Sequence, residues 1–216
     1  MRLAVIGPTG AGKGAQVQRL SQKLNHTRIS TGELIRAQIR AGTEIGKGIE
    51  GHHNRGEAVP DEVVLQLLLP RLQPAGGWIL DGYPRNLAQA RGLDSVLEER
   101  GTSGLSRVIA LEGLEEEELV ERVTSGRRHS QATDMVYHLR HDPPPRPADR
   151  TDPGPFVVRP DDTEEAVRRQ LEEYLREAEA IKERYGGRGI LAVVNARQPI
   201  EKVTEDILAA LGREGK

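Results

Sequence analysis

Gly7, Gly12 and Lys13 fit the spacing G-x-x-x-x-G-K in the run Gly7-Pro8-Thr9-Gly10-Ala11-Gly12-Lys13-Gly14. Glycines let successive backbone N–H groups curl around phosphate oxygens, and a helix starting just after them adds positive potential. Lysine at that place reaches the outer phosphates of a nucleotide. Such loops usually continue with Ser or Thr, whose hydroxyl holds Mg²⁺; here the residue is Gly14, so a metal must be held by other groups. The same stretch allows a second reading. Gly10-x-Gly12-x-x-Ala15, with Glu33 about 20 residues on, fits the dinucleotide fingerprint. That reading leaves Gly7 and Lys13 unexplained, and nothing downstream suggests hydride chemistry.

Two further clusters carry the same kind of chemistry. Trp78-Ile79-Leu80-Asp81-Gly82-Tyr83-Pro84-Arg85 is followed by Gln89. An Asp at the C-terminal end of a buried strand points at the ligand crevice of an open α/β sheet. Beside a phosphate loop it can orient Mg²⁺ or its waters, and the turn at Gly82 and Pro84 aims Arg85 at phosphate. Without the phosphate loop, the same residues read as a helix start with a capping Asp. In Ile29-Ser30-Thr31-Gly32-Glu33-Leu34-Ile35-Arg36, Thr31 suits a helix cap, and Arg36 on that helix suits a phosphate clamp.

The elements that must position these residues follow from the apolar pattern. Leu3 to Ile6, Trp78 to Leu80, Val108 to Leu111 and Ile190 to Val194 are short apolar runs, read as strands buried on both faces. Helical stretches are expected over 13–24, 32–41, 61–72, 86–99, 115–124, 161–185 and 200–211. Strands alternating with helices predict an α/β fold with a parallel sheet covered on both faces. Residues 129–160 break the pattern. They hold seven of the 13 prolines (143–145, 147, 153, 155 and 160), which excludes a continuous helix or central strand there. A disordered linker and a small inserted domain are the two readings; Met135–Leu139 and Phe156–Val158 look like short strands and favour the insert.

Composition removes other classes. The 216 residues contain no Cys, which excludes disulfides, a thiol nucleophile and thiolate metal sites. A net charge of -2 excludes a globally basic nucleic-acid binder, and the aromatics (one Trp, four Tyr, one Phe) are too few for a base-stacking surface. No apolar run approaches the roughly 20 residues of a membrane span, and the N-terminus reads as a strand rather than a signal peptide. The expectation is a cytoplasmic protein with no membrane or nucleic-acid partner. The run Glu115–Glu118 reads as an acidic helix start; Glu98-Glu99-Arg100 and Glu164-Glu165 with Arg168-Arg169 read as ion pairs on exposed faces.

Taken together, the loop at 7–14, Ser30-Thr31-Gly32 with Arg36, and Asp81-Gly82-Tyr83-Pro84-Arg85 with Gln89 resemble the adenylate kinases. The resemblance continues through Val59-Pro60-Asp61-Glu62, Arg122, Gly126-Arg127-Arg128, Val136-Tyr137-His138, Pro143-Pro144 and Arg159-Pro160-Asp161-Asp162, and covers essentially the whole chain. It implies a P-loop three-layer fold with a five-stranded parallel sheet flanked by helices. It also implies a division into core (1–29), a helical AMP-binding region (30–59), core (60–122), a LID insert (123–160) and core (161–216). The implied reaction is reversible phosphoryl transfer from Mg·ATP to AMP, giving two ADP, by a monomer.

Residue by residue, the resemblance puts Gly10, Ala11, Gly12, Lys13, Gly14, Ala15, Arg122, Arg127 and Tyr137 around ATP. It puts Thr31, Arg36, Glu57, Val59, Gly82, Arg85, Gln89 and Arg159 around AMP. Lys13, Arg85, Arg127 and Arg159 gather around the transferring group, and Asp81 holds a water of Mg²⁺. Relatives acting on UMP or CMP usually have Ala where Thr31 stands, so AMP is favoured. The chain also departs from the family. Thr is common at the place of Ala15. A phosphate-binding Arg is usual at the place of Gln170; Arg169 and Arg168 precede it but are rotated by about 100° and 200° on a helix. Lys is frequent where Gln198 stands, beside Arg197. Many LIDs of the family bind zinc through two pairs of x₂-spaced ligands. Here those places hold Ser130-x-x-Thr133 and Asp149-x-x-Asp152, which predict a polar hydrogen-bonded cluster and no structural zinc. His129, His138 and His141 are read as ordinary LID side chains, and His52-His53 as part of a solvated helix face.

Overall fold

A computed structural model describes residues 1–73, 76–146, 149 and 151–212. In chain order these form β1 (Arg2–Ile6), α1 (Lys13–Leu24), β2 (Thr27–Ser30), α2 (Thr31–Arg40), α3 (Glu44–Asn54), α4 (Asp61–Leu68), β3 (Trp78–Asp81) and α5 (Leu87–Glu99). Then follow β4 (Arg107–Glu112), α6 (Glu116–Gly126), β5 (Arg127–Ser130), β6 (Val136–His138), β7 (Phe156–Val157), α7 (Glu164–Gly187), β8 (Leu191–Asn195) and α8 (Ile200–Leu211).

The main sheet is five-stranded and parallel, in the order β2-β3-β1-β4-β8. Its alternating side chains feed two cores. Leu3, Val5, Ile79, Ile109 and Leu111 pack with α1, α6, α8 and the first turns of α7. Ala4, Ile6, Trp78, Leu80, Val108 and Ala110 pack with α4, α5 and the later part of α7. Burial on both faces is why these strands read as unbroken apolar runs. All five strands run the same way, so their carboxyl ends open on one edge. There β1 gives way to the glycine loop, β2 to Ser30 and β3 to Asp81.

Two segments leave this frame. Between β2 and β3, α2 and α3 pack against each other so closely that a Cβ on Gly46 would lie 2.1 Å from the Gln38 carbonyl oxygen. Glycine at that place is what permits the contact. Glycines at 46, 48 and 51 also thin the apolar stripe of α3, which is why periodicity did not reveal this helix. The second segment is a three-stranded antiparallel sheet, β6-β5-β7, with Tyr137 edge-on to Phe156 at 5.4 Å. The proline-rich region therefore holds ordered strands at the two places expected, and not a structureless linker; Pro147 lies outside the described residues. The strands β2 and β5 were not visible as apolar runs because each is four residues long and β2 has a single apolar residue, Ile29, and β5 none. The predicted helix 61–72 ends at Leu68 and continues as a 3₁₀ turn, Leu69–Arg71, because Pro70 cannot donate the next helical bond. Arg100 caps α5 and donates to the Leu69 and Leu72 carbonyls rather than pairing with its neighbouring glutamates.

Candidate active site

The glycine loop and the two inserts enclose a cleft of about 890 Å³ over the carboxyl edge of the main sheet. Every residue named above for nucleotide binding or catalysis lines it.

The loop is shaped by its glycines. Gly10 has φ +82° and passes so close to α6 that a Cβ would lie 2.6 Å from the Leu119 carbonyl oxygen. Gly12 caps α1 with φ +89°, a left-handed conformation that glycine adopts at little cost. Lys13 begins α1 and folds back over the loop, where Nζ donates to the carbonyls of Gly7 (2.8 Å) and Pro8 (2.7 Å). Burial and the neighbouring guanidinium of Arg85 lower its pKa to about 7, with Asp81 opposing.

Cations are concentrated in the cleft. Arg36, Arg85, Arg127 and Arg159 join Lys13 there. Burial and the fields of Arg36 and Arg127 lower the Arg159 guanidinium to about 9. Burial likewise lowers Arg36 and Arg85. The Nε atoms of Arg36 and Arg159 are buried without a hydrogen-bond partner. Buried donors of like charge with free N–H groups are stabilised by a polyanion among them. Acidic residues also line the cleft, Glu57, Asp81, Asp161 and Glu173 among them. Asp162 accepts a close ion pair from Arg127 and the Arg159 N–H at 3.2 Å, tying the base of β5 to the start of α7. Burial raises the Asp161 carboxyl, but Arg127, His53, Arg159 and Arg36 outweigh it and hold it below the usual range.

Thr31, buried at the start of α2, lines the cleft together with Val59, Gly82 and Gln89. Gln89 is fixed at both ends: Oε1 accepts from the Arg85 N–H at 2.8 Å, and Nε2 donates to Asp61 at 2.7 Å. Glu57 is held by Arg55 and His52. On the insert side, Arg122 and Tyr137 line the cleft, and the Tyr137 hydroxyl is turned to Asp152 at 2.9 Å. Asp152 gathers the predicted polar cluster: it also accepts from Ser130 (2.6 Å), Thr133 (2.5 Å) and the Gly154 N–H (3.0 Å). Asp149 stands apart and accepts from the Arg146 N–H.

Two cleft residues escaped sequence reading. Arg28, the second residue of β2, pairs closely with Glu33 and lies 3.4 Å from Asp81 Oδ2. It sits two residues before Ser30 on a strand too short to show which face it presents. His53 corrects the expectation of a solvated face: only His52 is exposed, while His53 turns into the cleft near Asp161, Arg36 and Arg159. The departures are also resolved. Gln170 lines the cleft, whereas Arg168 is held by Glu116, Glu117 and Glu164, and Arg169 by Glu165 and the Arg55 carbonyl. Arg197 pairs with Glu118, and Gln198 with Asp206.

A phosphate-cradling loop at the carboxyl edge of a parallel sheet, facing guanidinium groups from two inserts, defines a P-loop phosphotransferase acting on small polyanions. The comparisons with known proteins narrow this class. The adenylate kinase family profile matches residues 5–190. The adenylate kinase of Streptomyces coelicolor is 39% identical over 99% of this chain and 100% of its own length. Those of Moorella thermoacetica and Archaeoglobus fulgidus are each 40% identical, over 99% and 98% of both chains respectively. The chain belongs to the adenylate kinase family, and its activity is the reversible transfer of a phosphoryl group from ATP to AMP, giving two ADP. Magnesium accompanies ATP in this family. Among the described residues no helix is long and apolar enough to cross a membrane.

Proposed function

We propose that Lys13, Arg85, Arg127 and Arg159 are the groups that stabilise the phosphoryl group in transit, with the loop 10–15, Arg122 and Tyr137 on the ATP side. Thr31, Arg36, Glu57, Val59, Gly82 and Gln89 take the AMP side, with Arg85 and Arg159 serving it as well. The observation that carries this reading is the convergence of Lys13 with Arg36, Arg85, Arg122, Arg127 and Arg159 on a single cleft beside the glycine loop. Phosphoryl transfer needs little covalent help from the protein; positioning and charge stabilisation supply most of the acceleration. Lys13 and Arg127 neutralise the donor phosphates, Arg36 and Arg85 hold the acceptor phosphate, and Arg159 closes from above.

Mg²⁺ bound with ATP would offset the charge of the donor phosphates. Asp81, which lines the cleft beside the phosphate loop, offers hard oxygen ligands that fit such an ion, directly or through water. Asp81 is the proposed holder of a metal-bound water. The segment 30–59 acts as the AMP arm and 123–160 as the lid, which excludes water during transfer, between the core segments 1–29, 60–122 and 161–216. Every group invoked comes from one chain, which suits a monomer, and we place it in the cytoplasm.

The test is a coupled assay of ADP formation from ATP with AMP, UMP, CMP or GMP as acceptor. AMP is expected to be preferred, and Lys13→Ala to lose nearly all turnover. Turnover in the variant equal to the parent would overturn the role of Lys13.

A further inference from the structure

The two inserts meet directly at one point away from the phosphate site. Arg40, the last residue of α2, donates to both carboxylate oxygens of Asp134, Nη1 to Oδ1 at 3.1 Å and Nη2 to Oδ2 at 2.9 Å. Asp134 lies in the turn joining β5 to β6, 94 residues further along the chain. Its Oδ1 is also 2.8 Å from His129 Nε2. Because a carboxylate only accepts, Nε2 carries the proton. His129 is buried, and burial, with Arg159 and Arg36 nearby, lowers its pKa to about 4, so it serves as a neutral donor at physiological pH. Asp134 is firmly placed. Its N–H donates to the Ser130 carbonyl at 3.1 Å, and its φ of +57° is a left-handed conformation that Asp and Asn tolerate better than most residues. The flanking Ser130 and Thr133 are anchored on Asp152.

The bridge is in register with the phosphate-binding groups on each side. Arg36 and Arg40 are four residues apart on α2 and so share a helix face. Arg127 and His129 are two residues apart on β5 and so share a strand face. We propose that Arg40 and Asp134 form a clasp that sets how the insert seats on the α2 arm, so that Arg127 and Arg159 come to rest opposite Arg36. They are positioning residues for the transfer, not groups that touch substrate. This rests on the assignment of the arginines above.

The clasp predicts a specific kinetic signature. A contact made only when the two inserts meet raises the population of the closed form. Its loss weakens the apparent affinity for both nucleotides without slowing a step limited by reopening. The absence of cysteine allows site-specific labelling at two exposed positions, Glu50→Cys on α3 and Gln131→Cys on the insert. Single-molecule energy transfer between them reads closure as ATP and AMP are titrated. Arg40→Ala and Asp134→Asn, the latter keeping a residue suited to positive φ, are each expected to lower the closed-to-open ratio and raise both KM values. The expected change is about two- to fivefold, the range open to a half-exposed bidentate pair, with kcat equal or higher. The double variant Arg40→Ala/Asp134→Asn is expected to match the single variants. Unchanged closure and KM in both single variants, additive losses in the double variant, or a fall in kcat at constant KM would overturn the clasp. The energy-transfer readout follows closure alone, so it is independent of whether the arginines have the roles assigned in the transfer; a parent that forms no ADP would instead count against the kinase reading.

Discussion

The Gln170 side-chain amide lies 3.4 Å from Asp161 Oδ2, at the wall of the cleft where relatives commonly carry a phosphate-binding arginine. Arg176, further along α7, also lines the cleft, 3.5 Å from Glu172. Arg168 is engaged by Glu116, Glu117 and Glu164, and Arg169 by Glu165 and, at 3.5 Å, by Glu57. Asp161 Oδ1 is buried and without a hydrogen-bond partner, so a guanidinium at 170 would find an acceptor waiting. Gln170→Arg is therefore expected to raise kcat about tenfold, below the roughly 10²–10³ that a fully preorganised electrostatic stabiliser supplies. Steady-state assay of ADP formation checks it, and equal or lower turnover would show that the missing charge does not limit the rate.

Lys13 provides a proton-linked signature of phosphate binding. Its folded pKa of about 7 lies below the ordinary lysine value, chiefly because it is buried and faces Arg85. Between those two values the unfolded chain binds more protons, so this residue makes stability rise with pH across that window. A bound phosphate favours the charged amine and reverses the shift. At pH 8, nucleotide binding is expected to take up close to one proton. Calorimetry in buffers of different ionisation enthalpy measures the uptake. Lys13→Met should abolish it, and the same uptake in that variant would assign the proton elsewhere.

Asp94 ties α5 to α7 on the side of the molecule away from the cleft. Its buried Oδ2 accepts from Arg184 at 2.7 Å and Arg188 at 2.9 Å. Asp94→Ala leaves two guanidinium groups without their acceptor and is expected to cost about 2 kcal/mol, typical of hydrogen bonds to charged groups. Urea unfolding gives the loss. KM for ATP and AMP should remain that of the parent, since none of the three residues lines the cleft.

The phosphate loop, Asp81 with Arg85, and the alternation of buried strands with helices were legible because each depends on local spacing. Gly10 and Gly12 take backbone conformations that sequence can announce, and β1 and β4 are buried on both faces. What stayed hidden depends on partners distant in the chain. Arg28 acquires meaning only when β2 lies beside β3 and brings it to Asp81. His53 sits next to exposed His52, and the two are separated only by the pitch of α3. Arg40 and Asp134 belong to segments joined by no sequence pattern. Glycine-rich α3 illustrates a related limit: the residue that permits close packing, Gly46, also erases the apolar period that would have announced the helix.

Asp152 does in the insert what a bound metal does in zinc-containing relatives, by drawing three side chains and one N–H onto a single centre. It is buried, and burial alone would raise its carboxyl. The hydrogen bonds from Ser130, Thr133, the Gly154 N–H and Tyr137 outweigh that and hold it below the usual carboxylate range. A depressed folded pKa contributes stability above the unfolded value and loses it as the pH falls through the folded one. Asp152→Ala leaves four donors without their acceptor and is expected to destabilise the insert by about 2–4 kcal/mol. Hydrogen exchange should show the loss in β5, β6 and β7, while amides of β1 and β4 keep the protection of the parent. Asp152→Asn retains the shape but not the charge, so it should flatten the acid dependence of exchange in the insert below pH about 4. Acid dependence equal to the parent would mean that another carboxyl governs the stability of this small sheet.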